Sequence, residues 1–136
     1  MKPLLIGKVA QLAGVGVQTV RFYERRGLIE EPPRKDSGYR LYSEDVVSRL
    51  RFIKRAKYLG FSLKEIADLI SLRLDPSSSC SDVKERAEGK IRDIEEKVKD
   101  LTRMKSALIE LTDSCDDVTG SSRECPIFRS LDRESD

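Results

Sequence analysis

The chain contains no histidine and no tryptophan, and only 6% of its residues are aromatic. The missing histidine removes both the commonest general base and the commonest nitrogen ligand for a metal. No nucleophile stands beside an activating base, and there is no glycine-rich phosphate loop or hydrolase signature, so an enzyme is not expected. Long hydrophobic runs are also lacking, which excludes a membrane-spanning helix. The opening residues 1–6 are weakly apolar, but Lys8 and Gln11 interrupt the apolar run, so a secretion leader is not expected. Cysteine is scarce: Cys80, Cys115 and Cys125 are the three present. Three cysteines without a secretion signal suit a reducing cytoplasm and unpaired thiols.

What the chain has in abundance is charge, and the charge is divided. The net charge of the 136 residues is only +2. Residues 1–74 nevertheless carry 15 Lys and Arg against 8 Asp and Glu, whereas residues 75–136 carry 11 against 16. A basic first half calls for an anionic partner, and nucleic acid is the usual one.

The acidic half is built around one long amphipathic stretch, residues 82–111. Its apolar residues are Val83, Ala87, Ile91, Ile94, Val98, Leu101, Met104, Leu108 and Leu111, spaced by threes and fours with a mean of 3.5. That is the period of a coiled-coil seam, and a narrow apolar stripe on a charged rod requires a partner helix. A homodimer is therefore expected. Cys80 lies just before the rod, Cys115 just after it, and Cys125 ten residues further on. At about 1.5 Å per residue the rod separates Cys80 from Cys115 by about 50 Å. If it pairs antiparallel with its twin, Cys80 of one chain falls beside Cys115 and Cys125 of the other. A two-fold dimer then carries two three-thiol sites.

In the basic half, Ile6, Val9, Ala10 and Ala13 share one helical face, and Gly14-Val15-Gly16 ends that helix. Residues 17–26 form a second helix with Val17 and Val20 inward and Gly27 as its stop. Together they make a helix-turn-helix. Gln18 and Thr19 open the second helix, which is expected to expose Arg21, Tyr23, Arg25 and Arg26. Pro32-Pro33, the turn signal Asp36-Ser37-Gly38 and the alternating Tyr39-Arg40-Leu41-Tyr42 predict a two-stranded wing over residues 31–42, with Arg34, Lys35, Tyr39 and Arg40 on or near it. Ser43 is the expected cap of a basic helix containing Arg49, Arg51, Lys54, Arg55 and Lys57. Ser62 and Glu65 form a capping box, flanked by Phe61 and Ile66 as a hydrophobic staple. The expected architecture is mainly α: a winged helix-turn-helix head over residues 1–74, a hinge and dimerisation helix over 75–112, and a metal-binding loop with a short terminal helix over 113–136.

Thr19-Val20-Arg21-Phe22-Tyr23-Glu24-Arg25, Gly27-Leu28-Ile29, Gly38-Tyr39-Arg40-Leu41-Tyr42 and Leu59-Gly60-Phe61-Ser62-Leu63-Lys64-Glu65-Ile66 together resemble the MerR family of bacterial transcription regulators, over nearly the whole chain. The resemblance implies a homodimer with an antiparallel coiled coil, two winged heads on double-stranded promoter DNA, and no membrane. It also implies control by DNA distortion that lets RNA polymerase engage both promoter elements. Carried over residue by residue, it assigns DNA contacts to Gln18, Thr19, Arg21 and Tyr23 on the recognition helix and to Arg34, Tyr39 and Arg40 on the wing. Lys54, Arg55 and Lys57 are further phosphate contacts.

The same resemblance narrows the effector. The chain is too short for the ligand domain of the drug-sensing members, and it lacks the four clustered cysteines of the iron–sulfur members. Sensors of monovalent copper, silver or gold have Ser where this chain has Cys80; divalent-metal sensors have Cys. Three thiolates without histidine suit a soft ion. Hg(II) accepts three sulfurs, and the similarity to mercury sensors is closest at Cys125-Pro126-Ile127. Zn(II) prefers a fourth ligand. One departure keeps zinc, cadmium and lead open. The loop between Cys115 and Cys125 holds nine residues, a zinc-type length, and Asp116, Asp117 or Glu124 would supply an oxygen. A mercuric-resistance regulator with metal ligands Cys80, Cys115 and Cys125 is thus the leading expectation. A thiol redox switch between Cys115 and Cys125 and a constitutive DNA binder are the alternatives. Ile127, Phe128 and Leu131 are expected to bury one side of the terminal helix.

Overall fold

The computed structural model describes residues 3–32, 40–115, 120 and 122–133. They form helices α1 (Ile6–Ala13), α2 (Val17–Arg25), α3 (Glu44–Tyr58), α4 (Leu63–Leu74), α5 (Cys80–Asp113) and α6 (Pro126–Asp132), with a single 3-10 turn at Ser122–Glu124. The chain divides into two units, Met1–Arg86 and Ala87–Asp136.

Two glycines make the corner of the first unit possible. Gly14 has φ 71° and Gly27 φ 75°, a left-handed conformation that a Cβ disfavours. At each, the helix closes with a paired reverse hydrogen-bond motif. Val15 N–H donates to Ala10 and Gly14 N–H to Gln11, at 3.0 and 3.2 Å; Leu28 N–H donates to Tyr23 and Gly27 N–H to Glu24, both at 3.0 Å. The chain therefore leaves α1 and α2 at fixed angles, and α1 packs on both α2 and α3.

The core follows the apolar spacing. Val9, Ala10 and Ala13 of α1, Val20 of α2, Val47, Leu50, Ile53 and Ala56 of α3, and Ile66 and Ile70 of α4 are buried together with Leu28, Ile29 and Tyr42. The Ser62–Glu65 capping box forms as expected: Ser62 N–H donates to Glu65 Oε1 at 2.8 Å, and Glu65 N–H to Ser62 Oγ at 3.1 Å. Ser43 does occupy the N-cap of α3, but its side chain makes no capping hydrogen bond.

The expected hairpin is not established. Residues 33–39, and with them Arg34, Lys35 and Tyr39, lie outside the described residues. Leu4, Arg40 and Tyr42 are bridge residues; in the antiparallel bridge whose two partners are both described, Leu4 N–H donates to Tyr42 O at 2.9 Å and Tyr42 N–H to Leu4 O at 2.7 Å. It ties the segment before α1 to the segment leading into α3.

Residues 75–79 are dense in local hydrogen bonds. Asp75 Oδ1 accepts from Ser77 N–H at 2.9 Å and Ser77 Oγ at 2.7 Å. These bonds, the hydroxyl first, hold the Asp75 carboxyl below its ordinary pKa. Ser79 and Asp82 make a second capping box at the head of α5, with Ser79 N–H on Asp82 Oδ2 at 2.8 Å and Asp82 N–H on Ser79 Oγ at 3.4 Å. Within the first unit, Arg86 Nε meets Asp68 Oδ2 at 2.6 Å, joining the start of α5 to α4.

In the second unit α5 continues without a break. The helix buries no residue along its 34-residue length. Ile91, Ile94, Val98, Leu101, Met104 and Leu108 are all exposed. Ser114 Oγ donates to Leu111 O at 2.7 Å, and Thr112 Oγ1 to Ile109 O at 2.9 Å, satisfying carbonyls at the end of α5.

Candidate functional site

The basic head presents α2 as the expected recognition helix. Its N-cap is Gly16, in extended conformation. Gln18 and Arg21 are exposed and Thr19 is half-buried, so the first turn offers polar side chains outward. Tyr23 departs from expectation. It is buried, because position 23 lies one turn after Val20 on the inward face of α2. Its ring meets Phe22 at 5.6 Å, while Phe22 is the more exposed of the two and carries Arg26 over its face at 5.5 Å.

Arg40, expected at the wing, is engaged inside the head. Its guanidinium reaches Glu24 Oε2 at 3.1 Å and Glu31 Oε1 at 2.5 Å. Glu24 also accepts the hydroxyl of Tyr42. The Glu24 side chain is 4% exposed and Tyr42 1% exposed, so this bracket is largely shut off from water. Burial, then the neighbouring Glu24 carboxylate, pushes the Tyr42 phenol up to about 12. Sequence reasoning misses Glu24 as a structural carboxylate. Its only signal is an acidic residue next to a tyrosine on an otherwise basic helix.

The basic residues of α3 divide in the same way. Lys54 Nζ donates to Gly14 O at 2.8 Å, and Arg51 donates to Leu12 O from Nε at 3.3 Å and Nη2 at 3.0 Å. Both cations therefore cap the carbonyl end of α1, where the helix dipole is negative. Lys54, expected on phosphate, also holds the helix-turn-helix corner, and its side chain is exposed. Arg55 lies over the Tyr58 ring at 5.3 Å, and Arg55 and Lys57 are exposed on the last turns of α3.

The three cysteines separate into a pair and a single. Cys125 is the N-cap of α6 with Pro126 at the first helical position, as the sequence predicts. Its sulfur lies 3.8 Å from that of Cys115. The Ile127 backbone N–H, aided by the Cys115 thiol, the Phe128 N–H and Arg129, holds the Cys125 thiol below its ordinary pKa. Two sulfurs about 2.3 Å from one tetrahedral ion stand about 3.8 Å apart, so the pair already has the spacing of a shared thiophilic ion. Cys80, exposed in the first turn of α5, belongs to the other unit. Among the described residues, no three ligating side chains of one chain come together. Asp116 and Asp117 lie outside the described residues, as does the side chain of Glu124. Within the single chain, Ile127 is half-buried, whereas Phe128 and Leu131, expected to be buried, are exposed and α6 buries no residue. Seven residues present too little surface to close over themselves.

No helix among the described residues is long and apolar enough to cross a membrane. The sequence matches a family profile described as "MerR HTH family regulatory protein" over residues 4–72 and another described as "MerR, DNA binding" over residues 47–111. The mercuric resistance operon regulatory protein of Serratia marcescens is 44% identical over 136 residues, spanning 100% of this chain and 92% of that protein. A transcription regulator of Ralstonia metallidurans, crystallised in complex with lead(II), superposes with a TM-score of 0.85 at 39% identity, over 94% of this chain and 98% of that one. The dual-function regulator MerR of Bacillus megaterium, solved with mercury(II), superposes with a TM-score of 0.74 at 37% identity, over 96% of this chain and 100% of that one.

Proposed function

The chain belongs to the MerR family of transcription regulators, and from that membership we propose that it is a metal-responsive, mercuric-resistance regulator whose effector is Hg(II). The observation that carries a thiophilic effector is the Cys115–Cys125 sulfur pair at 3.8 Å. Two thiols that close, at the end of a histidine-free chain, select a thiophilic cation over a hard one. The names of the Serratia and Bacillus megaterium relatives favour mercury. The lead(II) complex of the Ralstonia protein keeps lead, and with it zinc and cadmium, as the second reading.

In this reading the protein is a homodimer. The exposed seam of α5 pairs antiparallel with its copy, and an unbroken 34-residue helix is about 50 Å long. The third sulfur is then Cys80 of the partner subunit, set at the head of its α5 by the Ser79–Asp82 capping box. Cys115 and Cys125 of one chain and Cys80 of the partner subunit would hold the ion, which would supply thiolate-binding chemistry there. This chain's residues supply the rest. The α6 amides and Cys115 favour a thiolate at Cys125, and the α5 cap fixes where Cys80 begins.

In the head, Gln18, Thr19 and Arg21 of α2 face the major groove of promoter DNA. Arg55 and Lys57, with Arg34 and Tyr39, contact phosphate. Tyr23 contributes from the edge of the core, while Arg40 and Lys54 position the elements that carry the contacts. The output is transcription control by DNA deformation at a promoter bound with RNA polymerase, in the cytoplasm. The test is a titration of the reduced dimer with Hg(II) and separately with Zn(II), followed by thiolate-to-metal absorption. One ion per site, lost in Cys80→Ser, is expected. Uptake that survives Cys80→Ser would refute the cross-dimer site, and tight Zn(II) binding that needs a carboxylate would move the assignment to the second reading.

A further inference from the structure

Cys115 and Cys125 are both half-buried, lie in the same structural unit, and are not joined in a disulfide. Their sulfurs stand 3.8 Å apart. A disulfide needs about 2.05 Å, so about 1.8 Å of closure separates the two states. Cys80 is differently placed, exposed at the start of α5 in the other unit. The same chain therefore holds one close pair of thiols in one unit and a single thiol in the other.

We propose that the Cys115–Cys125 pair is an oxidant-sensitive modification site, which a peroxide converts to an intrachain disulfide that thiols reverse. One thiolate of the pair attacks the peroxide. An S–O bond forms as the O–O bond breaks, hydroxide leaves and takes up a proton, and the sulfur becomes a sulfenic acid. The second thiolate then attacks that sulfur. The S–S bond forms as the S–O bond breaks, and the departing hydroxide leaves as water. In sum, two thiols and one hydrogen peroxide give one disulfide and two waters, with the two electrons passing from sulfur to peroxide. The consequence rests on the metal reading above: the bond withdraws two of the three sulfurs, so an oxidised sensor cannot take its ion.

The test uses the full-length reduced dimer, treated with stoichiometric hydrogen peroxide, which is then removed. Of the three thiols per chain, one should remain. The chain should lose the mass of two hydrogens, with the bond mapping to Cys115 and Cys125. Hg(II) uptake should fall by about tenfold or more and return with dithiothreitol. Cys80→Ser should form the same bond, and Cys125→Ser should not. Retention of all three thiols, or a bond that joins Cys80 of two chains, would overturn the proposal. If the mapped bond forms but the reduced protein takes no Hg(II), the metal reading fails and the modification site stands. If Hg(II) binds stoichiometrically and the pair resists peroxide, the modification site fails alone.

Discussion

Replacing Glu24 with alanine should destabilise the head by about 3 kcal/mol. The carboxylate is 4% exposed and accepts from both Arg40 and Tyr42. Its removal strands the Tyr42 hydroxyl, on a residue 1% exposed, at a cost of about 1–3 kcal/mol for an unsatisfied buried donor. The Arg40 contribution is smaller, about 1 kcal/mol, because its side chain is 26% exposed and keeps Glu31. Glu24→Gln retains an acceptor and should cost about 1 kcal/mol, as should Tyr42→Phe. The assay is urea denaturation at fixed dimer concentration, since the midpoint of a dimer depends on it. A double-mutant cycle between Glu24→Ala and Tyr42→Phe, each of which removes the Tyr42–Glu24 hydrogen bond, should return a coupling of about 1 kcal/mol. A cost below about 0.5 kcal/mol for Glu24→Ala, or strict additivity in the cycle, would refute the bracket.

The geometry fixes four further outcomes. Because the Tyr42 phenol is raised to about 12, the folded state holds its proton more tightly than the unfolded state. That stabilisation is complete below the unfolded value of about 10 and is lost as pH rises toward 12, so the alkaline decline should be shallower in Tyr42→Phe. Gly14→Ala should cost about 1 kcal/mol or more by thermal or urea unfolding, since φ is 71° and the new Cβ would lie 2.9 Å from Lys54 Nζ. Leu101→Glu, on the exposed seam of α5, should shift the protein from dimer to monomer in analytical ultracentrifugation while the head stays folded; an unchanged dimer would exclude that seam. Arg21→Ala should lower the salt slope of DNA binding by about one, whereas Lys54→Ala should leave the slope nearly unchanged and lower stability by about 1 kcal/mol.

Elements with their own periodicity are legible in the sequence. The seam of residues 82–111 lies on one helix, Gly14 and Gly27 stop theirs, and the Ser62–Glu65 box and Cys125-Pro126 open theirs, because each signal acts within a few residues of chain. The Ser79–Asp82 box is equally local, visible in its S-x-x-D spacing, although Pro76 and the serines around it have the composition of a hinge. What local pattern leaves undecided is the partner of each charge. Arg40 and Lys54 have the composition of phosphate contacts, but folding sets Glu24 beside the one and the carbonyl end of α1 beside the other, 16 and 40 residues away. Tyr23 and Phe22 are equivalent as neighbours in sequence until packing chooses which ring enters the core. The cysteines show the same division. Their number and the rod between Cys80 and Cys115 are properties of the sequence. The 3.8 Å approach of Cys115 to Cys125 is a tertiary outcome that spacing alone does not specify.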